Sequence, residues 1–313
     1  MVSNWSVSRD QILHSCERKY YFQYMVNARI NSRDESLREI AFLKKLKNIH
    51  LWKGSILHDI ISDYLNYNVK GYSISIDKLL NDYETNIKKQ WECSYKKEYD
   101  VNKSKIGKGN IFALMEHEYD EELPDGLLYN TIDEIKNQFF KFYDWSEEYT
   151  LLKKIRTSSK HWIEPPYFGY NASAFNLDNI KIIAKVDLAI QNRDNSFEIF
   201  DWKTGKLPRN SNRISHDEFQ AGVYQLWPNI ELNYNLEDIK AHILYLSDET
   251  HKSYEINGNK KEYYLNLIFK SVMKINQLEI VKDDLSFNDL NLAISPKICN
   301  LCSFKRLCQR EVQ

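Results

Sequence analysis

The ten residues Lys181-Ile182-Ile183-Ala184-Lys185-Val186-Asp187-Leu188-Ala189-Ile190 constrain the fold of this chain more than any other stretch. They are rich in β-branched side chains, which fit a pleated and half-buried surface. A polar cluster, Asn192-Arg193-Asp194-Asn195, follows, and then Phe197-Glu198-Ile199-Phe200-Asp201-Trp202. Asn and Asp turn the chain, so the segment predicts strand, turn and strand. Around it, helical periodicity starts at a Ser8 N-cap and carries Ile12, Leu13, Cys16, Tyr20 and Tyr24 to about residue 28. A second helix is expected from near Gly54, with Leu57, His58, Ile61 and Leu65 along one side. Residues 70–160 read as a charged helical insertion or subdomain, 213–227 and 260–280 as helices, and Ala241 to Leu246 as a third strand. The expectation is one α/β domain over residues 1–313: a mixed central sheet flanked by helices, with a helical N-terminal region.

Composition closes off several classes. With 42% hydrophobic and 13% aromatic residues the chain can bury a core, which argues against global disorder. A net charge of -1 gives no overall basic signature, but nucleic-acid binding needs only a local basic groove. No run of about 18 apolar residues occurs, so no membrane span is expected. The first residues lack the pattern of a secretory leader, so a cytoplasmic location is expected, where five cysteines stay reduced and favour metals over disulfides.

Asp201 and Lys203 are two apart in the second strand, so they emerge on one face. Asp187 lies across the hairpin, near enough to join them. Two carboxylates and an ammonium converging on a sheet face are costly unless something polar sits between them. A divalent cation resolves that cost, and oxygen ligands favour Mg²⁺ or Mn²⁺. The Trp202 side chain points to the other face, which leaves its backbone carbonyl as a further ligand.

The cysteines form a second constellation. Cys299, Cys302 and Cys308 crowd the far end of the chain, and Cys16 lies near its start, so four thiols can close one tetrahedral site by joining the chain ends. Zinc and a [4Fe–4S] cluster both accept four thiolates, and spacing does not choose between them. Cys93 has no partner motif and reads as structural.

The segment from Ala184 to Lys206, with Asp201-Trp202-Lys203-Thr204-Gly205 at its core, resembles the active-site hairpin of the RecB-type exonuclease branch of PD-(D/E)XK nucleases. Trp202 stands where that pattern has Tyr, and Ala184 where it often has Gly. Gly54-Ser55-Ile56-Leu57-His58 resembles the family's Gly-x-x-x-His helix, which implies His58 as a metal ligand. Gln220-Ala221-Gly222-Val223-Tyr224 resembles its Gln-x-x-x-Tyr motif, which implies that Gln220 and Tyr224 brace Lys203 or touch the DNA backbone. Cys16-Glu17-Arg18-Lys19-Tyr20, with the C-terminal motif in 295–313, resembles the iron–sulfur staple of AddB-type and CRISPR-associated RecB-like nucleases. That resemblance implies [4Fe–4S] rather than zinc. It further implies a restriction-endonuclease-like fold, cleavage of DNA from single-stranded ends, and a partner such as a helicase, a CRISPR-adaptation complex or a defence complex. The competing expectation is a nucleic-acid-binding or scaffolding subunit that cuts little.

Overall fold

A computed structural model describes residues 4–72, 74–164, 173–208, 216–282 and 289–308. Its strands are β1 (Asn4–Ser6), β2 (Lys160–Ile163), β3 (Ala174–Leu177), β4 (Ile180–Ile183), β5 (Leu188–Gln191), β6 (Phe197–Lys203), β7 (Ile239–Tyr245) and β8 (Thr250–Tyr254). The helices are α1 (Val7–Ser15), α2 (Glu17–Tyr20), α3 (Glu35–Leu43), α4 (Ile49–Val69), α5 (Ile76–Tyr95), α6 (Met115–Glu118), α7 (Leu127–Glu148), α8 (Leu151–Thr157), α9 (His216–Glu231), α10 (Gly258–Ile280) and α11 (Pro296–Asn300). The chain divides into two compact units. Residues 1–7, 54–80 and 134–276 form the first, and residues 8–53, 81–133 and 277–313 the second. Residues 70–160 are thus shared between the two. Among the described residues no helix is long and apolar enough to cross a membrane.

The first unit holds both sheets. Five strands run in the order β2-β5-β6-β7-β8, and β1-β4-β3 form a separate three-stranded sheet. β6 is central, parallel to β7 and antiparallel to β5. Its first six residues are all buried, as expected of a strand covered on both faces. Parallel strands require a crossover, and α9 supplies the one from β6 to β7. On one face Trp202 meets Phe142 edge-on at 4.9 Å, with Trp145 at 6.1 Å. Tyr64 of α4 packs against Phe139 and Phe142. The core of this unit is therefore an aromatic layer behind the central strand.

The single strand expected over 181–190 is two strands in different sheets. Lys185 has φ +41°, a left-handed conformation that breaks the extended run. Ser173 holds the break: its carbonyl accepts from the Ala184 amide (2.8 Å) and its hydroxyl from the Val186 amide (3.1 Å). Asp187 consequently lies just before β5 rather than within a strand. The mixed central sheet expected from sequence is the five-stranded one, and among the described residues a three-stranded sheet stands beside it in the same unit. Of the helix expected over 213–227, residues 213–215 lie outside the described residues, and the rest belongs to α9.

Helix ends differ too. The first helix begins at Val7, so Ser8 is not its N-cap, and it stops at Ser15. Cys16 is extended (φ −164°, ψ 110°), and its sulfur accepts the Lys19 amide at 3.4 Å, capping α2. A π-helix, Tyr21–Met25, follows. The helix placed near Gly54 starts at Ile49, because the Asn48 side chain caps it through the Leu51 amide (2.9 Å). The second unit's core gathers Phe22, Ile40, Phe42, Leu43, Tyr99, Met115 and Phe304, and Phe22 stacks on Phe304 at 5.4 Å.

Candidate functional site

The β5–β6 register sets the site. Leu188 pairs with Phe200, so Asp187 and Asp201 stand opposite one another at the open end of the hairpin. Strand alternation brings Lys203 to the face of Asp201. Lys203 Nζ lies 2.8 Å from Asp201 Oδ2. It also donates to Gln220 Oε1 at 2.6 Å. Alternation turns the Trp202 amide the other way, where it donates to Asp187 Oδ2 at 2.8 Å.

α4 and α9 supply the remaining groups. His58 Nδ1 is 3.0 Å from Asp187 Oδ1. Burial opposes a charge on His58, but the neighbouring Asp187, helped by Asp201, raises its pKa to about 9. As it stands, His58 is the cationic partner of Asp187. Gly54 is not demanded by the backbone, since a Cβ there would sit in ordinary contact, 3.8 Å from Thr204 Oγ1. On α9 the i,i+4 pair meets as its spacing predicts: Gln220 Nε2 donates to the Tyr224 hydroxyl, which donates to Asp201 Oδ1 at 3.2 Å. Gly222 between them is required by packing, because a Cβ would fall 2.2 Å from the Tyr264 ring.

Asp201 sits in an unfavourable electrostatic setting. It is buried, and burial pushes its carboxyl above the usual range; Lys203 opposes that and the Asp187 carboxylate adds to it. Its Oδ2 is near the Lys203 ammonium yet receives no well-directed hydrogen bond. Burial also raises the Tyr224 hydroxyl, with Asp201 and Asp187 reinforcing the shift. A buried carboxylate with an oxygen that lacks a well-directed hydrogen bond, facing a second carboxylate, fits a hard divalent cation. Among the described residues no group of three or more His, Cys, Asp or Glu side chains is already arranged to hold a metal. Instead Asp187 is paired with His58 and Asp201 with Lys203.

Glu164 was not singled out from the sequence. Its amide donates to the Asp187 carbonyl at 2.9 Å, and its half-buried carboxyl is raised by burial, while Lys185 lowers it and Asp187 raises it. Nothing in its local sequence marks it; only the pairing of edge strand β2 with β5 brings it there.

In the second unit Cys16, Cys299, Cys302 and Cys308 line one cavity with Arg18, Lys19 and Phe22. Arg18 Nη1 donates to Cys308 Sγ at 3.7 Å. Burial raises the Cys16 and Cys302 thiols, and the other cysteines of the set add to it. The segment before the motif is tied to α2: Glu17 Oε2 accepts from the Asn291 amide (3.1 Å) and side chain (2.8 Å). Four thiols line a single space with cations beside them; their chemistry is that of a four-thiolate donor set, although no three of them are already arranged around a metal position. None of the five cysteines is in a disulfide, and Cys93 is buried apart from this cavity.

A search of curated proteins found no significant match. Among solved structures, the crystal structure of SSO0001 matches at 16% identity and a TM-score of 0.29, over 62% of this chain and 78% of that one. The family comparison reaches much further. The model of the PD-(D/E)XK nuclease superfamily matches residues 4–309, nearly the whole sequence, and to that superfamily the chain belongs.

Proposed function

We propose that the protein is a Mg²⁺- or Mn²⁺-dependent DNA nuclease. The observation that carries this reading is the buried Asp201 carboxylate, opposite Asp187 and ion-paired with Lys203. Asp187, Asp201, His58 and the Trp202 carbonyl would hold the cation. When bound, it would polarise the scissile phosphate and acidify an attacking water. Lys203 orients that water or offsets charge growing on the phosphate. Gln220 holds Lys203, and Tyr224 fixes the Asp201 carboxylate from the opposite side. The test is cleavage of labelled single- and double-stranded DNA with Mn²⁺, Mg²⁺ or chelator, for wild type and Asp201→Asn. Cleavage that survives chelation, or that persists in a folded Asp201→Asn protein, rules the assignment out.

The finer reading is an exonuclease of the RecB/AddB-like, CRISPR-associated kind, acting on single-stranded ends within a repair, adaptation or defence complex. The resemblance of the Cys16 and Cys299–Cys308 motifs supports it, as does the cavity those thiols share. The four cysteines would hold a [4Fe–4S] cluster, which should appear as brown, anaerobically purified protein with about four irons per chain. One zinc in colourless protein would replace the cluster while keeping the staple.

A further inference from the structure

Trp162 lies on edge strand β2, and its partners across the sheet define its face. It pairs with Ala189, which pairs with Ile199, two residues before Asp201. Antiparallel partners share a face, so Trp162 is on the side of the sheet that carries Asp201 and Lys203. Lys160 and Glu164 alternate onto that same side, and Glu164 is the residue bonded to Asp187. Trp162 is therefore about 7 Å along β2 from the position beside Asp187.

A cavity of about 300 Å³ opens at this point, lined by Lys160, Trp162, Asn176, Lys181, Trp227 and Glu231 among others. Trp162 is partly buried and firmly backed. The buried Trp227 meets it edge-on at 5.2 Å, and Phe197 lies at 5.6 Å. The exposed Lys160 ammonium rests over the indole, 4.7 Å from the ring centroid. An exposed cation–π contact is weaker than base–aromatic stacking, so a base can displace that ammonium. A fixed indole flanked by two lysines is the chemistry that holds an unpaired nucleotide. The larger cavity at the β5–β6 turn offers no comparable site: five carboxylates, of Asp194, Glu198, Glu237, Asp238 and Glu255, outnumber Lys154, Arg193 and Lys240 there.

We propose that this cavity is a nucleotide subsite for single-stranded DNA. The base of a nucleotide close to the scissile phosphate stacks on Trp162, Lys160 and Lys181 hold the adjoining phosphates, and Asn176 and Glu231 face the base edge. The proposal rests on the nuclease reading and specifies where its substrate runs.

The test is fluorescence anisotropy of a labelled short oligodeoxythymidylate in EDTA, so that binding is read without cleavage. Trp162→Ala should weaken binding by about 5- to 100-fold, and Trp162→Phe should recover most of it. Lys160→Ala and Lys181→Ala should each lower the slope of log affinity against log salt by about 0.7. A folded Trp162→Ala protein that binds like wild type overturns the subsite. If Trp162→Ala does not fold, the exposed Lys160→Ala decides, and unchanged affinity and salt slope overturn it. Equal binding of a blunt duplex also overturns it. Wild type that cleaves DNA while all three alanine variants bind normally removes only the subsite. Wild type that neither binds nor cleaves any polynucleotide removes the nuclease reading as well.

Discussion

The acidic site and the cysteine cavity are built in opposite ways. Asp187, Asp201 and Lys203 are positioned by the register of β5 and β6, and β6 is paired along both its edges. The cysteines are positioned by short pieces: α2 has 4 residues and α11 has 5. Neither is long enough to be stable alone. Phe304 on Phe22, the Tyr119 hydroxyl donating to the Ser303 carbonyl (2.7 Å), and Arg306 paired with Glu39 and Glu118 hold the last segment in place. A ladder keeps its geometry when a side chain is lost. A set of short segments around a cavity depends on what ties them together.

That contrast breaks or sharpens first at Asp201. Asp201→Ala should reduce cleavage by roughly 10³-fold or more, because phosphate activation and the nucleophile are lost together. Its melting temperature should fall only modestly, since the repulsion from Asp187 is relieved while Lys203 keeps Gln220 but loses its carboxylate partner. Calorimetry showing a large stability loss would mean that the acidic site, too, holds its surroundings together.

Cys16→Ser should do the reverse, costing about 4 kcal/mol of stability if a shared cluster closes nearly the whole chain into one loop. Soluble yield and urea unfolding measure this. A variant with wild-type stability and impaired cleavage would reverse the contrast. Gly222→Ala comes next, at about 2 kcal/mol, because its methyl would overlap the Tyr264 ring. Thermal unfolding should show that loss without the 10³-fold fall in kcat predicted for Asp201→Ala.

The smallest effect separates the units by pH. His117 in the second unit is buried and held neutral, its pKa pushed down to about 4 by burial, with Lys97 adding to it. Its contribution is complete above the unfolded value of about 6.5 and is lost as pH falls from there towards 4. In the first unit Glu198 is held below the usual carboxylate range; burial works against this, but His242, Lys154, Asn192 and Tyr149 outweigh it. Its contribution is complete above the ordinary Glu value and is lost only at lower pH. Urea midpoints between pH 7 and 5 should therefore fall less steeply in His117→Gln, by at most about 1 kcal/mol per pH unit, while Glu198→Gln should leave that window unchanged.

How much of this was legible in the sequence follows from the range of each interaction. Asp201 with Lys203, and Gln220 with Tyr224, obey periods of two and of roughly four, so their shared faces could be read directly. The hairpin's existence was legible, but its first strand was not, because Lys185 carries no glycine-like signal for its left-handed turn. The break at Cys16 was hidden by apolar spacing that continues through it. Trp162 and Glu164 could not be found at all, since only the register of β2 on β5 brings them to the site.

The turn at Lys185 has a consequence for synthesis. It sends the chain from β4, which pairs with β1, directly into Asp187. β1 is made long before its partner β4, with residues 7–179 between them. Until then the opening strand has no edge to join, and the support behind Asp187 is missing. A polypeptide interrupted before β4 would therefore carry neither that support nor Asp187, Asp201 and Lys203.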